Sequence, residues 1–83
     1  MLLLIEVADT TLDYDREVKA LLYAEEGIQE YWIVNLEEEA LEVYRQPGSK
    51  GYAETLTLHR SDEVLIRMLP GIGTFSVDEV LGP

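Results

Sequence analysis

Residues 2–8, Leu2 to Ala8, form a short apolar run broken only by Glu6. Its length and its lack of helix caps predict a buried strand. Asp9, Thr10 and Thr11 are turn and cap formers, and Asp13 can cap a helix whose first turn carries Asp15 and Glu17 near the positive helix end. Tyr14, Val18, Leu21, Leu22 and Glu25 then recur at helical spacing, with Ala20 and Ala24 beside them. Gly27 supplies a left-handed stop, so a helix is expected over residues 13–26.

Tyr31 to Leu36 is rich in aromatic and β-branched residues and predicts the next strand. After the acidic connection Glu37–Ala40, Leu41, Val43 and Arg45 alternate with Glu42 and Tyr44, the pattern of a hairpin arm. Residues 46–51 form a loop, beyond which Tyr52, Glu54, Leu56 and Leu58 alternate with Ala53, Thr55, Thr57 and His59. A short strand near residues 63–67, a Pro70-Gly71 break, a segment at Phe75 to Val77 and an amphipathic turn through Val80 and Leu81 complete the chain. The order strand, helix, strand, then antiparallel meander gives an α/β (α+β) class, and its first three elements can close a right-handed crossover with a parallel strand pair.

Composition sharpens this picture in three ways. With 83 residues, 47% hydrophobic and 28% charged, the chain has room for one core. A domain of this size buries only roughly 60% of its unfolded surface, so self-association, most simply a homodimer, is expected. The absence of cysteine excludes disulfides and thiolate metal sites. Seventeen acidic against six basic residues leave a net charge of -11, which disfavours autonomous DNA binding because the phosphate backbone is repelled. The basic residues Arg16, Lys19, Arg45, Lys50, Arg60 and Arg67 are scattered singly. The apolar start lacks the basic flank of a signal peptide and no stretch approaches the ~18 apolar residues of a membrane span, so a cytoplasmic setting is expected.

Glu6 is the first candidate for chemistry, because a carboxylate inside an apolar strand is costly unless it is paired, exposed or bound to a metal. As a functional residue it would be a Mg2+ ligand; otherwise it faces solvent or an arginine. Lys19, on the following helix, could stabilise charge on a phosphate, or pair with Asp15 four residues earlier. His59 lacks a partnered nucleophile or second histidine and reads as structural. Trp32 and Tyr44 read as packing residues rather than a stacking platform, since no basic residues are interleaved with them. Asp9 and Asp13 could join Glu6 around a cation but have simpler duties as turn and cap residues, and Glu37–Glu39 reads as a solvated turn. Gly71-Ile72-Gly73 lacks the spacing of a phosphate loop.

The ordered string Ile5-Glu6-Val7-Ala8-Asp9-Thr10-Thr11, Tyr14-Asp15-Arg16, Lys19, Leu22-Tyr23-Ala24, Gly27-Ile28, Glu30 to Asn35 and Leu41 to Arg45, with Leu69-Pro70-Gly71 near the end, resembles the Uma-two family of restriction-endonuclease-like proteins. The likeness covers nearly the whole chain. It implies a PD-(D/E)xK fold in which acidic residues and a lysine gather around Mg2+ to hydrolyse DNA. Glu6 matches the acid of the family's Glu-Val motif and Lys19 the lysine of the following helix, with Asp15 as its local partner.

Two departures matter. The family carries a Pro-Asp ahead of the Glu6 strand and a larger N-terminal region, whereas this chain starts inside that strand; Asn35 stands where relatives carry Asp. The resemblance therefore implies a single N-terminally truncated endonuclease-like domain over residues 1–83, with weak or absent Mg2+ binding and no catalysis alone. An acidic homo-oligomeric binding or regulatory module without catalysis fits the same residues, as does a piece of a longer gene product.

Overall fold

The computed structural model of the chain describes residues 3–8, 12–66 and 70–82, with side chains in those ranges except at 8, 12–17 and 70. Strand β1 (Leu3–Ala8) leads to helix α1 (Leu12–Glu25), then to β2 (Glu30–Asn35), β3 (Ala40–Gly48) and β4 (Gly51–His59). These strands form one sheet in the order β1-β2-β3-β4, parallel between β1 and β2 and antiparallel thereafter. Strands β5 (Glu63–Leu65) and β6 (Thr74–Ser76) pair as a separate small hairpin, with a 3-10 turn at Pro70–Ile72 between them and helix α2 (Val77–Leu81) after them. The mixed α/β class and the strand-helix-strand-meander order agree with the pattern of the sequence, and the arrangement is compatible with a restriction-endonuclease-like α+β fold.

Local chemistry explains the main boundaries. α1 ends where Gly27 takes a φ of 79°, while Ile28 N–H donates to the Tyr23 carbonyl at 3.0 Å and Gly27 N–H to that of Ala24 at 3.0 Å. That pair of bonds satisfies carbonyls the last helical turn would otherwise leave unmet. Short α2 is capped by Ser76, whose hydroxyl accepts from Glu79 N–H at 3.0 Å. The turn from β2 to β3 is held by the Asn35 side chain, which accepts from Glu38 N–H at 3.1 Å.

The sheet separates two unlike layers. On one face Trp32, Val34, Leu41 and Val43 pack with Val64, Ile66, Val77 and Leu81, so the β5–β6 hairpin and α2 close an aliphatic core. Tyr31, Ile33 and Tyr44 occupy the other face, joined by Leu4, Tyr52 and the Ala20 and Tyr23 side chains of α1. This second layer is largely aromatic: the Tyr31 ring lies 5.0 Å from Tyr23, 5.6 Å from Tyr44 and 6.3 Å from Tyr52, centroid to centroid.

Four sequence expectations need correction, the first being the loop over residues 46–51, which is strand except at Ser49 and Lys50 because β3 runs to Gly48 and β4 starts at Gly51. Strand β1 is not a buried strand: Ile5 is 47% and Val7 66% exposed, because α2 packs over β2, β3 and β4 and leaves the β1 end of that face uncovered. The buried side of α1 is Ala20, Tyr23 and Ala24, while Val18, Leu21 and Leu22 are exposed. Small alanines let the helix approach a sheet surface already filled by tyrosine rings, which leaves the leucines turned away.

Tyr52, expected on the face of Glu54 and Leu58, instead joins the tyrosine layer. Gln46, between the pairs Arg45↔Glu54 and Pro47↔Tyr52, has a φ of 59°, a left-handed residue that interrupts the strict alternation of a flat strand. Asp9, Thr10, Thr11, Arg67 and Leu69, and the side chains of Asp13, Asp15, Arg16 and Pro70, lie outside the described residues.

Candidate functional site around Glu6

Parallel pairing puts Glu6 opposite Ile33 and Leu4 opposite Tyr31. Alternation along both strands then aims Glu6 and Tyr31 at the same side of the sheet, the side that α1 crosses. The Tyr31 hydroxyl donates to Glu6 Oε1 at 2.7 Å and the Tyr23 hydroxyl to Oε2 at 3.2 Å. Lys19 Nζ lies 3.6 Å from the same Oε2. Lys19 and Tyr23 are one helical turn apart, so α1 delivers both groups from one face. The two residues singled out from the sequence are thus brought together, with Glu6 rather than Asp15 as the described partner of Lys19.

The site is open. Side-chain exposure is 28% for Glu6 and 42% for Lys19, enough for a solvent-borne group to reach either. Tyr31 is different: burial, followed by its bond to Glu6 and the Glu6 charge, raises its hydroxyl well above the usual tyrosine range. Tyr23 shifts in the same direction, from desolvation first and the Glu6 charge second. Both hydroxyls therefore remain protonated donors near neutrality, and each fixes one oxygen of the carboxylate.

Residue-by-residue reading did not single out Tyr23 and Tyr31 for this role. The spacing of Lys19 and Tyr23 was an available signal for one of them. Tyr31 is placed by the register of β1 on β2, which nothing local encodes.

The opposite face holds a second acid-cation pair, between residues likewise not singled out. Glu30 is fully buried, accepts from Trp32 Nε1 at 2.7 Å and from Arg45 Nε at 3.2 Å. Arg45 reaches Glu54 at 3.5 Å through Nη1 and the Leu65 carbonyl through Nη2. This cluster ties the β5 segment to the main sheet. His59 is exposed; its backbone and the Asp62 carboxylate close a turn, with His59 N–H donating to Asp62 Oδ2 at 2.8 Å. Trp32 and Tyr44 are buried, as packing residues should be.

As a metal centre the described residues fall short. Among them no group of three or more His, Asp or Glu side chains could hold an ion. Glu42 shares the face of Glu6 but stands two strands away across Ile33, where it accepts from the Tyr44 hydroxyl at 2.9 Å. Asn35 also shares that face, and its Nδ2 is a buried donor with no partner among the described residues, a group that repels a cation. Among the described residues, Glu6 with two hydroxyls and a lysine does not by itself make up a Mg2+ shell.

A mixed sheet with a parallel β1–β2 pair and one crossing helix, which brings Lys19 to Glu6 within β1, is compatible with a restriction-endonuclease-like α+β domain. The sequence comparison specifies it further: residues 1–78 match the model of the Uma2 family, described as "Putative restriction endonuclease", and the chain belongs to that family. No match was found among curated proteins or solved structures.

Proposed function

We propose that this protein is an endonuclease-like domain whose Glu6–Lys19 face meets a phosphodiester but does not cleave DNA unaided. The observation that carries the reading is the convergence of Lys19, Tyr23 and Tyr31 on a partly exposed Glu6, with no further acid completing a metal-binding group among the described residues. Lys19 Nζ, more than a third exposed, can turn from Glu6 to donate to a non-bridging phosphate oxygen. Glu6 keeps the orientation set by the two hydroxyls and stands as the acid of the family's site. The family implies Mg2+, and remaining ligands would come from another chain; a cytoplasmic setting belongs to the same reading.

Supercoiled plasmid incubated with the purified protein and Mg2+ tests it. The expected result is no nicking above the level of Glu6→Gln protein. Robust nicking by the parent that Glu6→Gln abolishes would overturn the claim that the domain is silent alone.

A second reading, an acidic homo-oligomeric module without catalysis, is favoured by one observation. Strand β1 ends the sheet order and exposes Ile5 and Val7, apolar surface of the kind a second copy could cover. Light scattering separates the cases: a stable dimer supports assembly, and a monomer at micromolar concentration excludes it.

A further inference from the structure

A groove of about 320 Å³ runs between the C-terminal half of α1 and the β3–β4 hairpin, lined by Ala20, Leu21, Tyr44, Lys50, Tyr52 and Thr55. Its volume lies at the low end of the range for small-molecule sites. We propose that it takes one nucleotide unit, a base with its phosphate, from a strand whose neighbouring phosphate lies at Glu6 and Lys19. The ligand's identity rests on the endonuclease-like reading, while the groove itself does not.

Three observations converge on that occupant. The first is charge. Among the described basic residues, Arg45 is held by Glu30 and Glu54, Arg60 by Glu39 and Asp78, and Lys19 by Glu6. Lys50, exposed at the mouth of the groove, has no carboxylate partner among the described residues. In a protein of net charge -11 that is an unusual place to leave an ammonium group uncompensated, and it suits an anion.

The second observation is aromatic surface. Tyr44 and Tyr52 line the groove with ring centroids 5.9 Å apart, and the Tyr52 hydroxyl is anchored on the Ile28 carbonyl at 2.7 Å. The half-buried Tyr52 ring, backed by the buried Tyr44, offers a preformed stacking surface for a base, and the Thr55 hydroxyl adds a donor and acceptor beside it. Leu21, exposed on α1, gives the opposite wall an apolar surface.

Continuity is the third. Tyr31 touches both places at once: its ring packs on Tyr44 and Tyr52, and its hydroxyl holds Glu6. α1 likewise supplies Lys19 to the carboxylate and the adjoining Ala20 and Leu21 to the groove. A strand lying along the helix would meet the groove and Glu6 in succession. Reliance on one free lysine makes the expected binding weak and salt-sensitive.

The experiment is an amide NMR titration of the whole chain in EDTA at low salt with thymidine monophosphate, with a short oligothymidylate and with inorganic phosphate. Expected are shifts at Leu21, Lys50, Gly51 and Thr55 with both nucleotides, the oligothymidylate also moving Lys19. Tighter binding of the oligothymidylate than of the monophosphate is expected; equal affinity for the two overturns a strand as the occupant.

Lys50→Ala, an exposed change, should weaken binding roughly tenfold, the scale of one charge-assisted contact. It should also flatten the slope of log affinity against log salt by about 0.7. Silence of the groove amides with both nucleotides overturns the proposal, as does an unchanged affinity in Lys50→Ala or an equal response to inorganic phosphate. Groove shifts without any at Lys19 support the groove and count against the Glu6 reading alone.

Discussion

Glu6 and Glu30 lie on adjacent parallel strands, three positions apart in register, and each is paired with a cation, yet they face opposite sides of the sheet and live in opposite conditions. Glu30 is fully buried and held by Arg45 and the Trp32 indole, and Arg45 goes on to Glu54 and the Leu65 carbonyl. Glu6 is partly exposed, held by two tyrosine hydroxyls and a lysine that is itself more exposed. A charge enclosed with its partners fixes structure, since removing either partner strands the other in a low-dielectric interior. A charge oriented from below and open from above costs little to keep and remains available to a ligand. The same residue type, on two neighbouring strands, is told apart by burial and by who donates to it.

The largest effect should come from breaking the enclosed pair. Arg45→Met keeps the apolar stem but takes the guanidinium away from the buried Glu30 carboxylate, and should cost roughly 3–5 kcal/mol in urea unfolding. A loss below about 1 kcal/mol would mean that the Glu30 cluster is dispensable. Tyr31→Phe comes next: the ring stays in its stack, one charge-assisted bond to Glu6 goes, and about 1.5–3 kcal/mol should be lost. Its plasmid-nicking and nucleotide-binding assays would show whether Glu6 then loses its orientation.

Alkaline pH probes the tyrosine layer as a whole. Burial pushes the Tyr52 hydroxyl from 10.0 up to about 12, and Tyr31 moves the same way. Because the folded state holds these protons more tightly, both contributions are intact below pH 10.0; that of Tyr52 is lost as pH rises toward about 12, while that of Tyr31 is lost only at higher pH. Urea midpoints should therefore fall across that window, and Tyr52→Phe should flatten the fall. The smallest change is expected from Lys19→Ala, whose exposed pair with Glu6 is worth at most about 1 kcal/mol. A larger loss in unfolding assays would move Lys19 into the structural class.

Local rules made much of the fold legible. The apolar run, the Gly27 stop and the alternation of Leu41, Val43 and Arg45 against Glu42 and Tyr44 all specify elements through near neighbours, and α1 and β2 fall within a residue of their expected bounds. Where the outcome depends on what lies across the sheet, local pattern fails. The leucine stripe of α1 gives way to its alanines because the surface beneath is already filled by tyrosines, and Tyr52 joins that tyrosine layer rather than the face of Glu54. The same limit applies to the site: family resemblance selected Glu6 and Lys19, while the register that puts Tyr31 beside Glu6 and the burial that encloses Glu30 are properties of pairing between distant segments.

Parallel urea unfolding of Glu6→Gln and Glu30→Gln tests the contrast most directly, since each exchange removes one charge and keeps the shape. Glu6→Gln should stay within about 1 kcal/mol of the parent, as expected of a partly exposed group. Glu30→Gln should lose roughly 3 kcal/mol or more, because Arg45 is left buried with its charge only partly met. Equal losses, or a greater loss at Glu6, would contradict the assignment of one carboxylate to function and the other to the fold.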